Sequence, residues 1–174
     1  MKFSAITVDV TSLGINTPDG FFTAHYSKRG LARLDFPNAI GEKSRRESNG
    51  RPVSAEMQAW HKMTTRAVRE VLAGGTHGEL PPLDLSAGTE FQQSVWNALR
   101  KIARGRTKSY GEVAAVIGRP KALRAVGGAC GANPIPLLVP CHRVLAANHK
   151  LGGFSGGLDW KRKLLGREGL EFFE

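Results

Sequence analysis

The chain has 174 residues, a hydrophobic fraction of 41% and a formal net charge of +10. That is enough for one domain or two small ones around a packed core, and it excludes wholesale disorder. No run of eighteen apolar residues occurs and Asp9 interrupts the opening stretch, so the sequence predicts neither a spanning helix nor a secretory leader, and an intracellular, cytoplasmic protein (nuclear in a eukaryote). The positive excess calls for an anionic partner, nucleic acid first and an acidic membrane surface second.

Residues 3–10 alternate apolar and polar, the pattern of a half-buried strand. Thr17-Pro18-Asp19-Gly20 and Lys28-Arg29-Gly30 are turns bounding strands over 21–26 and 31–36, so the sheet is expected to be antiparallel. The polar stretch 37–52 holds Lys43, Arg45 and Arg46 and reads as a loop whose cations either stay solvated or touch phosphates. From Ser54 onward Met57, Trp60, Met63, Ala67 and Val71 recur at helical spacing, which predicts an amphipathic helix capped by Ser54 and ended by Gly74-Gly75. Together these make a small α/β domain over 1–80. Pro81, Pro82 and Gly88 then mark a linker at 81–88 before a second domain, 89–174.

The second domain opens with a capping box, Thr89 with Gln92, and a helix showing Phe91, Val95, Leu99 and Ile102 on one face as far as Gly105. A second capping box, Ser109 with Glu112, starts a short helix that stops at Gly118-Arg119-Pro120, and a third helix is expected over about 121–132, ended by Asn133-Pro134. Two short helices across a glycine turn fit a helix-turn-helix or a plain helical hairpin. Arg100, Lys101, Arg104, Arg106, Lys108, Arg119, Lys121 and Arg124 stand here against Glu112 alone, which favours a DNA-binding unit.

The third helix carries Ala122, Ala125, Gly127, Gly128, Ala129 and Gly131, with Arg124 nearly alone among long polar side chains. Such a surface lacks the amides and cations that distinguish bases in the major groove. Its small residues suit close approach to the minor groove without sequence specificity, aided by DNA deformation, or else tight packing on a neighbouring helix.

An apolar run, Ile135 to Val139, reads as a buried strand that delivers Cys141 and His142 to its end, ahead of the glycine-rich loop Gly152-Gly153-Phe154-Ser155-Gly156-Gly157. Cysteine is a strong nucleophile once ionised and histidine is its usual proton acceptor, although a lone cysteine also serves as a small hydrophobe. Cys130 is the second cysteine; free thiols fit a reducing compartment better than a disulfide between the two. The histidines show no metal-ligand spacing, so no metal is expected.

Pro140-Cys141-His142-Arg143-Val144, with Asn133-Pro134 before it and Glu168-Gly169 after it, resembles the active-site signature of the O6-alkylguanine-DNA alkyltransferases, also called methylated-DNA-protein-cysteine methyltransferases. The resemblance runs through 89–169 and more weakly into the N-terminal half. It implies a ribonuclease-H-like N-terminal domain and a winged helix-turn-helix-like C-terminal domain. It further implies direct-reversal repair of double-stranded DNA without a cofactor: irreversible transfer of the alkyl group of O6-alkylguanine, and of O4-alkylthymine, to Cys141, once per molecule, by a monomer. His142 then takes the thiol proton through a water, Glu168 orients His142, and Asn133 is the hinge between recognition helix and reactive segment. Tyr110 hydrogen-bonds the flipped ring, Ser155 and the amides near Gly156 bind O6, the carbonyls of Cys141 and Val144 bind the exocyclic amine, and Phe154 forms a pocket wall. Arg124 is the finger that fills the gap left in the duplex, flanked by Lys121, Ala122, Ala125, Gly127 and Ala129 as DNA-facing residues. Relatives often carry a basic residue at Gly131 and tyrosine at Phe154. A cysteine hydrolase using Cys141, His142 and Glu168, a non-catalytic alkylguanine sensor and a winged-helix transcription factor are the competing readings.

Overall fold

The computed structural model describes residues 10–37 and 52–173. Three antiparallel strands in sequential order, β1 (Thr11–Thr17), β2 (Gly20–Ser27) and β3 (Gly30–Asp35), are covered by the helix α1 (Ala55–Leu72). There follow α2 (Glu90–Leu99), β4 (Lys108–Ser109), α3 (Tyr110–Val116), α4 (Leu123–Gly131), β5 (Val144–Leu145) and α5 (Leu158–Arg167).

The pleat of β2 turns Phe22, Ala24 and Tyr26 inward, and α1 answers with Thr64, Ala67, Val68, Val71 and Leu72. Ser54 caps α1 by accepting from the Met57 N–H, as its position before the apolar stripe requires. Both expected turns form. At the second, Gly30 has φ +139, and a Cβ there would strike the Pro82 carbonyl, because residues 82–84 run alongside β3: Leu31 N–H donates to Pro82 O and Asp84 N–H to Leu31 O, each at 2.8 Å. β1 lies later than the strand expected at 3–10. Of that stretch only Val10 is among the described residues, and the cationic loop with Lys43, Arg45 and Arg46 also falls outside them.

Both capping boxes of the second half are present, at Thr89/Gln92 and Ser109/Glu112. The helix α2 closes at Leu99 instead of Gly105, leaving Ile102 buried in the following turn. α2, α3 and α4 pack on one another, with Trp96 Nε1 donating to the Ala129 carbonyl at 2.8 Å. One continuous core runs from Ile15 and Phe22 through Val95 and Leu99 to Cys141 and Leu164.

Three sets of contacts fasten the N-terminal half to the C-terminal half, one at Pro134 and two at α5. Leu34 N–H donates to the Pro134 carbonyl at 2.9 Å. Asp19, in the β1–β2 turn, accepts from both terminal nitrogens of Arg167 at 2.7 and 2.9 Å and lies 2.6 Å from Lys163 Nζ. Phe22 meets Trp160 of α5 edge-on at a centroid distance of 5.6 Å, and Phe36 packs tilted against the same ring at 4.8 Å.

Candidate active site

The segment expected to be a strand is instead a tight turn. Val139 N–H donates to Ile135 O and Cys141 N–H to Val139 O, and Leu137 sits at φ 79. Pro134, Pro136 and Pro140 cannot donate to a ladder, which explains why an apolar run of strand length makes no strand. Cys141–Arg143 forms a single 3₁₀ turn, followed directly by β5.

β5 pairs in parallel with β4, Lys108 opposite Val144 and Ser109 opposite Leu145. This two-residue ladder sets Tyr110, the first residue of α3, beside the end of the cysteine turn. Gly152, at φ +64, completes the placement: a Cβ there would meet the Tyr110 hydroxyl at 2.9 Å, so this crossing of loop and phenol requires glycine. Burial, and then the neighbouring Cys130 sulfur, hold the Tyr110 phenol above its ordinary range, so it is a protonated donor at neutral pH.

The sulfur of Cys141 accepts from Asn133 Nδ2 at 3.1 Å, and the same amide donates to the Val139 carbonyl at 2.8 Å. Burial pushes the Cys141 thiol up to about 11; the Asn133 hydrogen bond and the Lys161 charge pull the other way without prevailing. The resting group is a thiol, and a base is needed.

His142 supplies the geometry for one. Its Nε2 lies 2.9 Å from Glu168 Oε1. Burial opposes ionisation of Glu168, but hydrogen bonds from His142, from Arg143 and from the Gly105 N–H outweigh it and hold the carboxyl at about 2. Burial keeps His142 below its usual range despite that carboxylate. A neutral imidazole against a carboxylate places its proton on Nε2, leaving Nδ1 as a bare lone pair, and Nδ1 is buried with no hydrogen-bond partner. Arg143 is structural: Nε and Nη2 clamp Glu168 at 2.9 to 3.1 Å and Nη1 donates to Ile102 O at 2.7 Å.

Lys161 escapes a reading of the sequence. Between Arg162 and Lys163 it resembles one more surface cation, yet it is 0% exposed and its ammonium donates to the carbonyls of Val144, Leu151 and Gly153. Burial brings its pKa down to about 8. It thereby ties the glycine loop to β5, and the Val144 carbonyl expected to bind substrate has one acceptor position filled. The available signal was its position in α5, three residues before Leu164 and on the side of the helix that carries the core.

A cleft of about 750 Å³ is walled by Arg33, Phe36, Asn133, Pro136, Ser155, Gly156 and Trp160 among others. Ser155 is exposed and Gly156 half-buried, while Phe154 is half-buried with its ring 6.4 Å from that of His142. On α4, Arg124 and Ala125 face solvent and Gly127 is partly covered; just before the helix, Lys121 faces solvent and the N-cap Ala122 is partly covered. Ala129 is a correction: it is 3% exposed and packs inward beneath Trp96, so it does not belong to the DNA-facing surface. No group of three or more His, Cys, Asp or Glu suited to a metal ion occurs among the described residues.

A profile of the 6-O-methylguanine DNA methyltransferase, DNA binding domain, matches residues 90–170. The methylated-DNA-protein-cysteine methyltransferase of Methanosarcina acetivorans is 57% identical over 95 residues, which cover 53% of this chain and 61% of that protein. The enzyme of the same name from Methanosarcina barkeri is 40% identical over 154 residues, 87% of this chain and 92% of that one. Among solved structures, Mycobacterium tuberculosis OGT in complex with DNA superposes with a TM-score of 0.70 at 38% identity, covering 89% of this chain and 90% of that one. An O6-methylguanine DNA methyltransferase from Methanococcus jannaschii gives 0.64 at 28% identity, covering 93% and 96%. With Asn133 bonded to the cysteine sulfur, the adjacent histidine bonded to the glutamate, and a relative matched over nearly its full length, the chain belongs to the methylated-DNA-protein-cysteine methyltransferase family.

Proposed function

We propose that this protein repairs alkylated DNA by direct reversal, moving the alkyl group of O6-alkylguanine, and of O4-alkylthymine, onto Cys141. The observation that carries this is the pair of hydrogen bonds Asn133–Cys141 and His142–Glu168, with a buried, unpartnered His142 Nδ1 on the residue next to the cysteine. An alkyl group on O6 lies within the base stack, so the nucleotide must leave the duplex before the sulfur can reach it. Once it has, His142 Nδ1 takes the thiol proton through a bridging water, and Asn133 Nδ2 steadies the thiolate. The sulfur then forms a bond to the alkyl carbon while the carbon–O6 bond breaks and its electron pair passes to the guanine ring. Tyr110 hydrogen-bonds that ring as charge develops, and Ser155 with the amides around Gly156 receives O6. The carbonyls of Cys141 and Val144 take the exocyclic amine, and Phe154 walls the pocket. The proton lost by sulfur balances the one gained by guanine, so no cofactor is consumed.

The product is a thioether, and no group beside Cys141 is able to cleave it at neutral pH. The protein is therefore used once. On the DNA side, α4 lies along the minor groove without sequence preference, Lys121, Ala122, Ala125 and Gly127 against the backbone and Arg124 in the gap of the extruded nucleotide. We assign residues 1–80 to a ribonuclease-H-like supporting domain, 81–88 to the connection and 89–174 to a winged helix-turn-helix-like domain, acting as a monomer in the cytoplasm.

The test is the mass of the intact protein after incubation with a duplex containing O6-methylguanine. A gain of one methyl at Cys141, absent in Cys141→Ala, is the expected result. No gain, or repeated turnover of an acyl substrate, rejects the reading.

A further inference from the structure

Leu123 is a large apolar side chain left 48% exposed at the first position of α4, immediately before Arg124. Its placement is specific. The buried face of α4 carries Val126, Ala129 and Cys130, so Arg124 points directly away from the core and Leu123 lies on one flank. On that same flank, one turn later, is Gly127, whose added Cβ would lie 3.9 Å from Tyr110 Cε1. Leu123 itself reaches toward the start of α3: a Cβ built on Gly111 would sit 3.8 Å from Leu123 Cδ2. The leucine therefore occupies the rim between the solvent-facing Arg124 and the phenol of Tyr110. Four and two residues before it in the chain are Arg119 and Lys121, exposed cations suited to phosphates and not to a protein's apolar surface.

We infer that Leu123 is a second wedge, acting with Arg124 to displace the damaged nucleotide from the minor-groove side and to form the apolar rim across which it passes toward Tyr110; the inference rests on the repair reading above. Apolar side chains inserted at base steps are a recurrent way to unstack duplex DNA, and the unstacking that they stabilise takes the place of the water that otherwise covers them. Gly127 serves the same passage by leaving space where any side chain would stand over the phenol.

The experiment compares the parent protein with Leu123→Ala and Leu123→Met on two substrates, a duplex carrying O6-methylguanine and free O6-benzylguanine, following modification of Cys141 by intact mass. Only the duplex requires a nucleotide to be extruded. The ratio of duplex rate to free-base rate is expected to fall on the order of tenfold in Leu123→Ala and to recover largely in Leu123→Met, whose side chain keeps the apolar bulk. Fluorescence of 2-aminopurine placed beside the lesion should fall in parallel, reporting less unstacking. An unchanged ratio overturns the wedge, because a residue that merely supports the helix slows both substrates alike; so does a methionine variant no better than alanine. Failure of the parent protein itself to gain a methyl from duplex removes the repair reading and the wedge together.

Discussion

Asn133 donates its side-chain amide to the sulfur of Cys141 across 3.1 Å, while its Oδ1 accepts from the Ile135 N–H at 3.1 Å. One residue thus closes the turn that follows α4 and at the same time solvates the reactive atom. Replacing it with alanine removes the side-chain donor from the sulfur and one of the two hydrogen bonds to the Val139 carbonyl, leaving that from the Cys141 N–H. A hydrogen bond to a charged group is worth about 1.5–3 kcal/mol, so the methylation rate of Asn133→Ala should drop by on the order of tenfold to a hundredfold. Single-turnover kinetics with the lesion duplex measure it, and thermal melts should show a loss of stability alongside.

Small electrophiles probe the thiol without DNA. With its thiol pushed up to about 11, Cys141 carries little thiolate at neutrality, and alkylation by iodoacetamide should accelerate about tenfold per pH unit between roughly pH 7 and 9. A plateau already reached at pH 7 would show an ionised resting sulfur and remove the need for His142 as base.

Acid should unfold the protein through two carboxylates. The guanidinium of Arg167 holds Asp19 at about 2, and Glu168 is held at about 2 against its own burial. Both lie below their unfolded values near 4, so their stabilisation is fully present above that pH and is lost as pH falls toward 2. Denaturant midpoints measured from pH 6 down to pH 2 should decline across that window, and Asp19→Asn should start lower and decline less steeply.

Lys161→Met removes the donor shared by the carbonyls of Val144, Leu151 and Gly153. Each buried acceptor left unpaired costs about 1–3 kcal/mol, so a visible drop in melting temperature and a slower reaction are both expected. Lys161→Arg should not rescue it, since a planar fork does not fit a site built around one nitrogen.

Gly131 is exposed near the end of α4, and an added Cβ there meets nothing within 4 Å. Gly131→Arg should raise helix stability by up to about 1 kcal/mol. It should also add one phosphate contact, steepening the dependence of log affinity on log salt by about one. Titrations of duplex at several salt concentrations read the slope directly.

What the sequence discloses about this fold is the part governed by neighbours a few residues apart. Thr89 with Gln92 and Ser109 with Glu112 announce helix starts because the capping bonds close within one turn. The pairing of His142 with Glu168 spans 26 residues and was accessible through family resemblance alone. The turn at Leu137 was misread as a strand because hydrophobicity dominates a short apolar run, whereas three prolines decide its hydrogen bonding. Lys161 stayed hidden for the converse reason: a charged residue among charged residues reads as solvent-facing, and only the approach of three distant carbonyls makes its burial tolerable. β1 buries Ile15 and Thr17 and exposes Gly14 and Asn16, but glycine and asparagine are poor strand formers and an inward threonine is polar, so its sequence is a weak strand signal.

If the protein is used once, as proposed above, the backbone bond from Leu34 to Pro134 has a consequence for the molecule after its reaction. Cys141 is 3% exposed and held through Asn133, so a methyl group joined to its sulfur must be accommodated by shifting the turn that Pro134 begins. That shift pulls on β3 through Leu34, and with it on the edge of the N-terminal sheet. A spent copy should accordingly be cut faster by a protease than a fresh one, which would let a cell tell used guardians from those still armed.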